Sequence, residues 1–79
     1  MANTGKYDMT SSLFCEIWVK GSLNPAWQEW FEPLMITTAE QDPLVLVLSG
    51  CLPDQAALHA TLEKLYALNL PLVSVKIDP

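Results

Sequence analysis

The chain has 79 residues, 51% of them hydrophobic and 16% charged, with a formal net charge of −5 and four Lys or Arg residues in total. That length fits one domain whose apolar content supports a core without disulfide or metal staples, and so acidic a chain offers no cationic track for nucleic acid or an anionic membrane surface. No apolar run approaches the roughly 20 residues of a membrane span, and the N-terminus lacks the charged-then-apolar layout of a signal peptide, which points to a cytoplasmic location.

Residues 1–12 are small, polar and aperiodic, as expected of a flexible leader preceding a single domain over 13–79. From Leu13 the pattern has period two, with Leu13, Cys15, Ile17 and Val19 on one face and Phe14, Glu16, Trp18 and Lys20 on the other. This predicts a half-buried strand ending at Gly21. Asn24 and Pro25 form a helix start, an Asn cap followed by a proline at the first helical position. Trp27, Trp30, Phe31 and Leu34 then fall at the i, i+3, i+4, i+7 spacing of one apolar stripe, so both tryptophans are expected in the core rather than in a ligand cage. Pro33 limits this helix. Ile36, Thr37 and Thr38 restore strand character, and Glu40, Gln41, Asp42 and Pro43 form a hairpin turn.

Leu44 to Leu48 is continuously apolar, which predicts a central strand covered on both faces and ended by Gly50. Asp54 is placed to cap a helix of about 15 residues whose buried side carries Leu58, Thr61, Leu62, Leu65 and Leu68 or Asn69. Pro71 closes it, and Leu72 to Ile77 alternates as a last strand.

The order β-α-β-β-α-β predicts an α+β, ferredoxin-like sandwich, a four-stranded antiparallel sheet with two helices on one face. Strands one and three are expected to be its central pair, running parallel. In that arrangement Cys15 and Cys51 lie at opposite ends of the pair, beyond disulfide reach, and each stands as a free thiol.

Chemistry is sparse. His59 has no orienting partner or nearby nucleophile, so a catalytic role with Cys51 or Glu63 lacks a third group, and no catalytic residue, metal site or cofactor is assigned. The acidic residues are scattered, and no phosphate cradle, nucleophile elbow or metalloprotease helix is present. Phe14 and Trp18 are harder to explain as core. If Leu13, Cys15, Ile17 and Val19 face the helices, these two aromatics lie on the open side of the sheet, and an exposed apolar patch there marks a partner surface. Base stacking by such aromatics belongs to an RNA-binding fold of this topology, and the missing basic residues argue against it. The expected function is a non-enzymatic interaction or regulatory module that homodimerises through the face around Phe14 and Trp18, with a protein partner the alternative to a second copy. Another possibility is a small-metabolite sensor of the regulatory βαββαβ type, with Asp54, Gln55 and His59 at a helix start as ligand contacts.

Gly21, Leu23, Trp27, Trp30, Phe31, Leu34 and Ile36, with PDQAALH at 53–59 and LNLPLVSV at 68–75, give the chain a resemblance to a family of small uncharacterised bacterial single-domain proteins. The likeness covers about residues 14–77. It differs at Cys51, where proline is common, and at Ala60 and Asn69, where glycine is common. The resemblance implies no activity; it marks the DQAALH helix as a place to look for a site without giving its residues a role.

Overall fold

The computed structural model describes residues 12–78. The leader expected over 1–12 lies, except for Ser12, outside the described residues. The elements are β1 (Leu13–Lys20), α1 (Trp27–Trp30), β2 (Met35–Thr38), β3 (Val45–Leu52), α2 (Gln55–Ala67) and β4 (Leu72–Asp78). They form an α+β domain with a four-stranded sheet in the order β2-β3-β1-β4 and two helices.

Every paired strand is antiparallel, including β1 with β3, which corrects the expected parallel pair. The turn after β2 reverses the chain, so β3 returns alongside β2 and meets β1 head to tail. Cys15 therefore lies opposite Gly50, and Phe14 opposite Cys51. The two cysteines occupy adjacent rows rather than opposite ends of the sheet. Strand alternation sends their side chains to opposite faces, with Cys15 in the core and Cys51 exposed, and both are free thiols.

The period-two pattern of β1 is realised: Leu13, Cys15, Ile17 and Val19 are buried and join Leu46, Leu48 and Leu52 of β3. Phe31 and Leu34, just after α1, Ile36 of β2, and Leu58 and Leu65 of α2 complete the same cluster. Val47, on the other side of β3, is only half-buried, so this central strand is covered by helices on one face, not two. Nor does Gly50 end it. The strand continues to Leu52, and Gly50 adopts φ +150° within it. A Cβ there would lie 3.2 Å from Leu34 Cδ2 and 3.3 Å from the Pro33 carbonyl, so glycine lets β3 pass close beneath that turn.

The first helix is the largest departure from expectation. It has one turn, with Ala26 at its N-cap and no side-chain cap. Asn24 instead closes an Asx turn, its Oδ1 accepting the Ala26 N–H at 3.0 Å. Because the helix stops at Trp30, the i, i+3, i+4, i+7 stripe is never built. Phe31 and Leu34 still reach the core through the following turn and Trp27 packs at its margin, whereas Trp30 is 48% exposed.

The second helix follows its local signals closely. Asp54 Oδ1 accepts the Ala57 N–H at 2.9 Å, the predicted cap. Leu58, Thr61 and Leu65 are buried, and the Thr61 hydroxyl donates to the Ala57 carbonyl at 2.9 Å. At the other end Asn69 takes φ +64°, with Asn69 N–H donating to the Tyr66 carbonyl and Leu70 N–H to the Leu65 carbonyl, each at 3.0 Å. That pair of bonds is a Schellman motif, which needs a left-handed residue where Asn stands.

Candidate functional site

Alternation from the buried rows fixes which side chains line the uncovered face of the sheet. Phe14, Glu16 and Trp18 of β1 lie opposite Cys51, Ser49 and Val47 of β3, and Met35 and Thr37 of β2 extend the last two rows. On the other flank Asp78, Lys76 and Ser74 of β4 stand opposite Phe14, Glu16 and Trp18. The face is therefore an apolar strip broken by a polar row.

Phe14 is 42% exposed and Met35 61%, and both belong to this surface. Trp18 is half-buried, and its indole N–H donates to Glu16 Oε1 at 3.1 Å. Two shallow depressions flank the strip. One, of about 540 Å³, is lined by Phe14, Glu16, Lys76, Ile77 and Asp78. The other, of about 270 Å³, runs from Trp18 and Val47 to the turn at Thr38–Gln41. Glu16 and Lys76 sit opposite each other, so the polar row is balanced in sign.

Asp54, Gln55 and His59 line neither of these two depressions. One oxygen of Asp54 is committed to the helix cap, Gln55 is half-buried and His59 is exposed. The depressions nearest in kind, at the start of α1 and at the end of α2, are lined by other residues. Cys15 is fully buried; burial foremost, and the neighbouring Cys51, push its thiol above the usual thiol range. It is thereby kept protonated and unreactive. Among the described residues no group of three or more His, Cys, Asp or Glu side chains is placed to hold a metal ion, and no helix is long and apolar enough to cross a membrane.

Two positions that sequence periodicity passed over organise the surroundings. Gln28 uses both ends of its amide: Nε2 donates to the Leu34 carbonyl at 2.7 Å and Oε1 accepts the Ile36 N–H at 3.0 Å. A carbonyl and the N–H two residues on are the groups that an adjacent strand would engage, so this side chain occupies the outer edge of β2. Lys64 donates from Nζ to the Trp30 carbonyl at 2.9 Å and lies 6.0 Å from the Trp30 ring centroid, fastening the end of α1 to α2. A glutamine and a lysine on helices carry no pattern that distinguishes such roles from ordinary solvated positions.

No curated protein and no solved structure matches the chain significantly. A family profile described as a domain of unknown function, DUF8691, matches residues 14–76, which take in both helices, β2, β3 and all but the outer ends of β1 and β4. The chain belongs to that family.

Proposed function

We propose that this domain is a non-enzymatic protein-interaction or regulatory module of ferredoxin-like fold that homodimerises through the open face of its sheet around Phe14 and Trp18. The observation that carries the reading is that strip: Phe14, Trp18, Val47 and Met35 share the one face of the sheet that neither helix covers. Apolar side chains on an uncovered sheet face are the usual mark of a partner surface. The strand order β2-β3-β1-β4 supports the ferredoxin-like assignment. A metabolite-sensing role at Asp54, Gln55 and His59 has less support, because one Asp54 carboxylate oxygen is already engaged in the helix cap.

The test is the mass of the assembly by sedimentation equilibrium at micromolar concentration, for the native chain and for Phe14→Lys. Phe14 is exposed and lies opposite Asp78, so lysine is tolerated in the folded monomer. The native chain is expected to associate and the variant to lose that contact. A native chain that remains monomeric, or a variant that associates as the native chain does, refutes the reading.

A further inference from the structure

The two edges of the sheet are finished differently. At β2 the strand is four residues long and Gln28 occupies the backbone groups at Leu34 and Ile36. At β4 the strand runs seven residues without an internal proline, five of them, Ser74–Asp78, in regular register after a shift against β1 at Trp18 and Val19, and among the described residues no strand pairs with its outer side. Its apolar side chains are also left out of the core. Val75 and Ile77 lie opposite Ile17 and Cys15 on the helix-facing side, yet each is 36% exposed, while Leu72 and Val73 are about half exposed. The cause is coverage: α2 packs over β3, and the core cluster contains no residue of β4.

We propose that the outer edge of β4 is a second self-association surface, on which β4 of another copy pairs antiparallel about a two-fold axis at Val75. A row of free backbone N–H and C=O groups is complementary to another strand edge, and proteins that must avoid such pairing block it, as Gln28 does on the opposite side. The sequence of β4 is self-complementary in this register. Within the regular stretch Val75 comes opposite Val75 of the second copy and Ser74 opposite Lys76, and Val73, at the register shift against Trp18 and Val19, comes opposite Ile77; Leu72 lies beyond that shift and outside the ladder. Apolar residues thus meet apolar ones on the helix-facing side, and no two like charges are opposite. Shifting the axis by one residue to Lys76 would set Lys76 against its own copy, which cross-strand repulsion disfavours.

An axis normal to the sheet leaves the Phe14 and Trp18 faces of both copies on one side of a continuous eight-stranded sheet. The edge contact is therefore independent of the contact proposed above and compatible with it.

The experiment uses the 79-residue chain carrying Phe14→Lys, which removes the face contact, with Val75→Lys or Val75→Asp added. Circular dichroism checks that each variant is folded; Val75 is exposed enough for either substitution. In sedimentation equilibrium Phe14→Lys alone is expected to form a dimer. Each double variant is expected to be monomeric, since like charges then face each other at the axis, and an equimolar mixture of the two is expected to dimerise again. A monomeric Phe14→Lys chain overturns the edge contact while leaving the face contact standing if the native chain is dimeric. Double variants that dimerise alone, or a mixture that stays monomeric, overturn the proposed register and with it the proposal.

Discussion

Replacing Gln28 by Ala removes two hydrogen bonds at once, to the Leu34 carbonyl at 2.7 Å and from the Ile36 N–H at 3.0 Å. A typical intramolecular hydrogen bond contributes about 0.5–1.5 kcal/mol net, and the freed backbone groups at this part-buried site regain some water, so a loss of about 1–2 kcal/mol is expected. Against a total of roughly 4–12 kcal/mol for a chain of this size, that is readily measured. With a urea m-value of about 1 kcal/mol per molar, the midpoint should fall by about 1–2 M with m unchanged. Gln28→Glu separates the two bonds: its carboxylate can still accept from Ile36 but cannot donate to Leu34, and it places an anion beside that carbonyl. It should cost at least as much as Ala at neutral pH and less once the carboxyl is protonated. Equal midpoints for native chain and Gln28→Ala would refute the view that this amide closes the β2 edge.

Asp54→Ala should cost about 1 kcal/mol in the same assay, and Asp54→Asn much less, because Asn also caps the Ala57 N–H. Asn69→Gly should be neutral or stabilising, whereas Asn69→Val should cost about 1–2 kcal/mol by forcing a β-branched residue to φ +64°. In the Phe14→Lys chain, whose open face is left uncovered, a thiol reagent should modify Cys51 in the folded protein and Cys15 only on unfolding, with the two rates read by mass spectrometry. Because the folded Cys15 pKa is raised, its contribution to stability is complete below the unfolded thiol pKa and is lost as pH rises toward the folded one. Urea midpoints should accordingly fall on the alkaline side, and Cys15→Ala, though less stable, should show a shallower fall.

Local chemistry was the legible part of this chain. The Asp54 cap and the inward row of β1 both depend on a few neighbouring residues, and each is found where its side chain demands. What escaped depends on how layers meet. Trp30 carries the right spacing for a core residue, but a helix of one turn cannot project that spacing onto the sheet. Val75 and Ile77 alternate as buried residues should, and are exposed because α2 lies over β3. The proximity of Cys15 to Cys51 was hidden by the direction assigned to β3, since reversing one strand exchanges its ends. Of the candidate surface, Phe14 and Trp18 were legible from alternation alone; the intervening pair of Glu16 with Lys76 was not, because it requires the register of β4.

The most direct measurement is sedimentation equilibrium of the native 79-residue chain over a range of micromolar concentrations. Association beyond the 8.8 kDa monomer, reversible on dilution, is the expected result. A single 8.8 kDa species at every concentration would contradict both the face and the edge contacts.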